Sequence, residues 1–126
     1  MNILYSSDAP TAVGPYSHAV RTGGFLFCSG QVGLDPKTGL LVDGGVEAET
    51  QQALANVREV LADSGLRLSN VAKTTVFLTT MDDFDAMNEV YAEAFDDHRP
   101  ARSTIAVAGL PVGARVEIEV VAVLGE

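Results

Sequence analysis

Hydrophobic and polar residues change their spacing several times along this chain, and each change predicts an element. Asn2 to Tyr5, Ser17 to Arg21 and Phe25 to Val32 carry the apolar, β-branched and aromatic residues of strands, with Gly23-Gly24 as a turn between the last two. Asp35-Pro36-Lys37-Thr38-Gly39 is turn chemistry, since Pro presets φ and Gly accepts a positive one. Leu40 to Val42 is expected to continue a short ribbon that Gly44-Gly45 ends. Val46, Thr50, Ala53, Leu54, Val57, Val60 and Leu61 then recur at three and four, which predicts an amphipathic helix with Gly65 at its C-terminal stop. Val71 to Thr79 returns to strand composition. Thr80, with Asp83 three residues on, resembles a helix start, and Phe84, Met87, Asn88, Tyr91 and Phe95 fall on one side of the helix that follows. Ala101 to Val107 and Arg115 to Leu124 read as two further strands, separated by Gly109-Leu110-Pro111 and Gly113.

The resulting order, β-β-β-α-β-α-β-β, predicts an α+β fold with both helices on one face of a mixed sheet. The other face must then meet solvent or another subunit. In the last strand Val116, Ile118, Val120, Ala122 and Leu124 share one face, while Arg115, Glu117, Glu119, Val121 and Val123 share the other. The second face is half charged and half apolar, so it is expected to pack against neighbouring subunits with its polar end at a cleft.

Composition narrows the function. A length of 126 residues suits one domain, 1–126, and 47% hydrophobic against 20% charged residues suits a folded chain. No basic leader and no apolar run of membrane-spanning length is present, so a soluble, cytoplasmic protein without membrane contact is expected. Cys28 is the lone cysteine, which rules out an intrachain disulfide and a cysteine-cluster metal site. Eight Lys+Arg against 17 Asp+Glu give a formal charge of -9, which repels phosphate backbones and argues against a nucleic-acid partner. A single guanidinium can still bind a small carboxylate, whatever the net charge.

Individual residues carry the remaining chemistry. His18 and His98 match no metal-ligand spacing, and no Gly-x-Ser-x-Gly elbow or nucleotide-binding glycine pattern appears. Arg102 enters an apolar strand directly after Pro100-Ala101, on the same face as Thr104. It needs an anionic partner, which is either a neighbouring carboxylate or a substrate carboxylate held bidentately. Glu117 and Glu119 share one strand face and are either solvated charges or groups that orient water and move a proton. Asn88 is either a satisfied core amide or a pocket group. Gly14-Pro15-Tyr16-Ser17 offers a rigid turn before an aromatic hydroxyl, and in Ser29-Gly30-Gln31 a glycine admits close approach to the backbone. Cys28, between Phe27 and Ser29 in an apolar strand, reads as a buried, inert thiol.

Taken in order, Ala9-Pro10, Gly14-Pro15-Tyr16-Ser17, Ser29-Gly30-Gln31, Asp35-Pro36-Lys37-Thr38-Gly39, Leu54-Ala55-Asn56-Val57, Val71-Ala72-Lys73-Thr74-Thr75-Val76-Phe77, Pro100-Ala101-Arg102-Ser103, Leu110-Pro111 and Val116-Glu117-Ile118-Glu119 resemble the RidA/YjgF family over nearly the whole chain. The resemblance implies a chorismate-mutase-like fold, assembled as a homotrimer around a central barrel with a cleft between each pair of subunits. It also implies cofactor-free hydrolysis of enamine and imine intermediates, 2-aminoacrylate and 2-aminocrotonate, to 2-keto acids and ammonia. Carried over, Arg102 would hold the substrate carboxylate, and Glu117 with the Gly30 backbone would position water, while Tyr16, Ser29, Asn88 and Thr104 would shape the pocket. Thr104 stands where the family frequently has cysteine, and the short segment before Pro100 carries Arg99 in place of an aromatic. A non-catalytic ligand-binding or chaperone-like trimer and an endoribonuclease are the competing classes.

Overall fold

The computed structural model describes residues 1–125. Six strands form one sheet: β1 (Asn2–Leu4), β2 (Ala19–Thr22), β3 (Phe25–Val32), β4 (Val71–Leu78), β5 (Ala101–Ala106) and β6 (Val116–Val123), in spatial order β1-β2-β3-β6-β4-β5. All neighbours are antiparallel except β4 and β5. A parallel pair needs a crossover, and α2 (Phe84–Phe95) supplies it. The other helix, α1 (Gly45–Ala62), packs beside α2 and over β3 and β6. The predicted element order is the observed one.

Period-two alternation decides which side chains meet the helices. Val71, Thr74, Val76 and Leu78 of β4 and Val116, Ile118, Val120 and Ala122 of β6 are buried, and they pack with Leu26, Leu54, Leu61 and Met87 into one core. The alternate residues have no helix above them. Phe25, Phe27 and Ile105 are exposed, and Phe77, Val121 and Val123 are half-buried on the same open face. Cross-strand pairing sets them in rows, Phe25 beside Val123, Phe27 beside Val121, and Phe77 between Glu117 and Ile105.

Three local details depart from the sequence expectation. Leu40 to Val42 is no strand, because Leu34 and Leu41 form only one isolated bridge. The Gly39 and Leu40 backbones close tightly on Asp35, and Gly44 and Gly45, with φ of 119° and 77°, turn the chain straight into α1. β2 begins at Ala19 and not Ser17, since His18 N–H is spent on the Leu4 carbonyl at 3.1 Å. The Thr80 hydroxyl does cap a helix start, accepting from Asp82 N–H at 3.1 Å, but the cap opens a short 3-10 turn, Met81–Asp83, that leads into α2.

Helix α1 fixes the end of β3, where the cleft described below begins. Asn56 donates both amide hydrogens to the Val32 and Leu34 carbonyls at 3.0 and 2.9 Å, and its own oxygen accepts from Gln52 at 2.9 Å. The buried Glu49 carboxylate accepts from Arg115 N–H at 2.8 Å, tying α1 to the start of β6. Gly33 permits this approach, because a Cβ there would lie 2.7 Å from Glu49 Cα and 2.8 Å from its carbonyl oxygen. Backbone cannot yield as a flexible side chain does. Gly33→Ala should therefore destabilise the fold by about 1–3 kcal/mol, the usual range for overpacking, measured as a lower urea midpoint at unchanged slope.

Candidate active site

The site starts from an irregularity in β3. Cys28 pairs with Val120, but Gln31 pairs with Ile118, so β3 spends one more residue than β6 over this stretch. This bulge lets both Cys28 and Gln31 face the core while Ser29-Gly30 swings past the last turn of open-face residues. Gly30 then lies directly against Glu117: a Cβ would sit 2.7 Å from Glu117 Cδ and 2.8 Å from Oε2. The need is for space, and only glycine leaves room for the carboxyl. Half-buried there, Glu117 has its pKa raised above the ordinary carboxylate value, first by desolvation and then by the like charge of Glu119. A carboxyl so placed holds and releases a proton closer to neutrality than a surface Glu does.

The segment between β1 and β2 forms the facing wall, and His18 pins it. The buried imidazole accepts from Ser6 N–H at Nδ1 (2.8 Å) and donates from Nε2 to the Pro10 carbonyl (2.7 Å). Both ring nitrogens are thus committed to backbone, which fixes the neutral Nε2–H tautomer. Ser29 stitches β3 to the same wall, its N–H bonding the His18 carbonyl at 3.0 Å and its hydroxyl donating to the Ser17 carbonyl at 2.7 Å. Tyr16 stands at the mouth, partly exposed, its hydroxyl accepting weakly from Val13 N–H at 3.4 Å. Between wall and sheet lies a cleft of about 400 Å³, into which Tyr16, Ser29, Gly30 and Glu117 all face. Val112 closes its rim with φ 55°, a left-handed conformation that a β-branched residue adopts only under constraint.

Arg102, Thr104 and Asn88 are elsewhere. Arg102 pairs with Thr74, which is buried on the helix side, so its side chain turns toward α2. There the guanidinium lies over Tyr91, 4.7 Å from the ring centroid, and 5.6 Å from that of Phe84. Among the described residues it has no carboxylate partner and no hydrogen bond. Of the two explanations for this Arg, an internal salt bridge is therefore not what the fold builds. Thr104, two residues along the same face, buries a hydroxyl with no partner among the described residues. Asn88, half-buried, sits one helical turn from both Phe84 and Tyr91, and its amide likewise makes no hydrogen bond to a described residue. The explanation as a satisfied core amide falls with that. Arg99 takes no part, because its guanidinium donates to the Asp96 and His98 carbonyls just past α2.

The chain thus presents two half-sites on opposite faces of the sheet. One carries the Glu117 carboxyl and the Tyr16 hydroxyl; the other carries the Arg102 guanidinium, the Thr104 hydroxyl and the Asn88 amide, none of which has a hydrogen-bond or ion-pair partner among the described residues. Cys28 joins neither, since burial pushes its thiol up to about 12. Among the described residues no group of three or more His, Cys, Asp or Glu could hold a metal ion, and no helix is long and apolar enough to cross a membrane. The sequence reading missed His18, Gln31 and Val112 as cleft residues. The one available signal was a histidine and a glutamine in or beside apolar strands, where a polar ring or amide that becomes buried must find partners.

Comparison with known proteins places the chain in a family and agrees with the fold. The family profile described as Endoribonuclease L-PSP matches residues 6–124. The mouse protein named 2-iminobutanoate/2-iminopropanoate deaminase is 50% identical over 123 residues, covering 98% of this chain and 91% of its own. The human protein of that name is 46% identical, covering 98% and 90%. Among solved structures, RidA from an Antarctic Psychrobacter superposes with a TM-score of 0.94 at 37% identity, covering 98% of this chain and 100% of that one. Escherichia coli TdcF, solved with bound serine, gives 0.92 at 38% identity and covers 98% of both chains. With the profile spanning almost every residue and relatives near half identical throughout, the chain belongs to the RidA/YjgF family.

Proposed function

We propose that this protein is a cytoplasmic, homotrimeric 2-iminobutanoate/2-iminopropanoate deaminase that works without a cofactor. The observation that carries the reading is the state of Arg102: a guanidinium set over two aromatic rings, with no carboxylate partner among the described residues, on the same strand face as the orphaned Thr104 hydroxyl. A half-buried cation and a buried donor that the described residues leave unpaired are suited to a planar anion supplied from outside, and a carboxylate matches the Arg fork. The names of the mouse and human relatives support an imine as the group attached to that carboxylate.

The reaction then needs little machinery. Water positioned by Glu117 and the Gly30 backbone adds through oxygen to the carbon of the protonated C=N bond, and Glu117 accepts its proton to give a neutral carbinolamine. Glu117 returns that proton to the nitrogen of the carbinolamine, and as ammonia leaves the carboxylate takes the hydroxyl proton and releases it to solvent, leaving a 2-keto acid. An enamine enters by taking a proton on carbon to become the imine. Because an imine is already electrophilic, positioning water and acid supplies most of the help required, and no covalent nucleophile is involved.

Assembly follows from the two half-sites. Arg102 and Glu117 cannot face one substrate within a protomer, since they point from opposite sides of the sheet. Two protomers can supply them to one cleft, with Arg102 offered from the edge strand β5 of one and Glu117 from the open face of the next. Phe25, Phe27, Phe77, Ile105, Val121 and Val123 make that open face apolar enough to favour a covering subunit. A trimer is the assembly that the family resemblance supports.

With 2-aminoacrylate generated in place by a serine dehydratase, the wild type should speed pyruvate formation over the buffer rate, and Arg102→Ala should lose roughly 2–5 kcal/mol of transition-state stabilisation. A wild type that gives no acceleration would sink the enzyme assignment. The second expectation concerns pH. The water-accepting form of Glu117 is the carboxylate, so kcat/KM should fall as pH drops through a value above that of an ordinary Glu. Glu119→Gln removes the like charge, lowers that value and moves the acid limb to lower pH; an unmoved limb would contradict the coupling.

A further inference from the structure

We infer that Tyr91 is a positioning residue for the carboxylate grip, acting through a hydrogen bond that ties its ring to strand β4. The inference rests on the role proposed for Arg102. An unpaired arginine faces a problem of geometry, because its long side chain carries roughly 2 kcal/mol of rotamer entropy that must be lost before the fork can meet an anion. An internal carboxylate would hold the fork still, but it would also neutralise the charge and occupy the donors. Aromatic faces hold it differently. The ring quadrupole attracts the cation without using any N–H, so the plane of the guanidinium is set while all its donors remain available.

The ring must itself be fixed for this to work, and three observations show how it is. The buried Tyr91 hydroxyl hydrogen-bonds the Thr74 hydroxyl at 2.8 Å, and Thr74 is the residue paired with Arg102 across the β4–β5 ladder. Ring and guanidinium are therefore referenced to the same point of the sheet. Tyr91 also packs against the Phe95 ring, tilted by 34° with 4.5 Å between centroids. Phe95 in turn neighbours the ring of His98 at 6.3 Å, whose Nε2 donates to the Val71 carbonyl at 2.7 Å. The row of rings is anchored on β4 at Val71 and at Thr74, and Arg102 is its last layer. A phenol serves where phenylalanine would pack equally well only if the tether matters.

The test compares Tyr91→Phe, which keeps the ring and cuts the tether, with Thr74→Val, which cuts the same tether from the other end, and with Tyr91→Leu, which removes the stacking face. Steady-state kinetics on enzymatically generated 2-aminoacrylate and calorimetric binding of pyruvate, the keto-acid product, are measured for each. The two tether variants should raise KM and weaken pyruvate by about two- to fivefold with kcat nearly unchanged, and their double mutant should be no worse than either alone. Tyr91→Leu should raise KM by about three- to thirtyfold. In an Arg102→Ala background all three should add nothing further. Thermal unfolding separates lost folding from lost positioning, since the tether variants bury the same volume. Tether variants with wild-type KM, or with an undiminished effect when Arg102 is absent, would overturn the inference while leaving the deaminase intact. An inactive wild type would instead remove the reading on which it rests.

Discussion

Alternation along a β-strand assigns every side chain to one face of the sheet, and here it places Arg102 and Glu117 on different faces. Arg102 follows Thr74 and Val76 toward the helices, whereas Glu117 follows Glu119 and Val121 away from them. Neither can cross to the other side without a change of register, which would expose the core residues Val116, Ile118 and Val120. The same constraint that builds the core thereby divides the site. On the proposed mechanism assembly is part of the chemistry, and the apolar open face of the protomer is where the covering subunit packs.

The electrostatics of the two halves are complementary in purpose. A chain with a formal charge of -9 is a poor general host for anions, yet Arg102 meets no carboxylate among the described residues. The guanidinium lies over the rings of Tyr91 and Phe84, and on the same strand face the Thr104 hydroxyl has no partner among the described residues, so on the proposed mechanism nothing there cancels the charge that binds the substrate. Across the sheet, Glu117 is desolvated against Gly30 and pressed by Glu119, so its charged form is the less comfortable one. On the proposed mechanism Arg102 binds the substrate carboxylate, and the raised pKa of Glu117 suits it to accept and return a proton.

Much of this was legible in the sequence because it depends on local period. The spacing of Val46 through Leu61 marked α1, the alternation of Val116 through Leu124 marked the two faces of β6, and period two already set Arg102 beside Thr104. What the sequence hid depends on contacts between distant residues. Gly30 looked like a place for backbone to approach a ligand, but the group it admits is the Glu117 side chain, brought there by a bulge that no local pattern reveals. His18 matched no ligand motif, and its two hydrogen bonds to Ser6 and Pro10 exist only once the preceding segment folds back. The Thr74–Tyr91 bond joins a strand to a helix that follows it. Leu40 to Val42 failed for the opposite reason: its composition suits a strand, but the loop closed by Asp35 and the paired glycines leave it no partner to extend along.

The most direct measurement mixes two defective subunits. Arg102→Ala and Glu117→Gln are each co-expressed alone and then together with distinct tags, mixed trimers are isolated by both tags, and deaminase activity is measured on generated 2-aminoacrylate. A site built from Arg102 of one subunit and Glu117 of the next is restored wherever the intact residues meet, so each mixed trimer holds one intact site of three and should regain about a third of wild-type activity. Mixed trimers that stay as inactive as their parents would contradict the account, because both residues would then have to act from one chain.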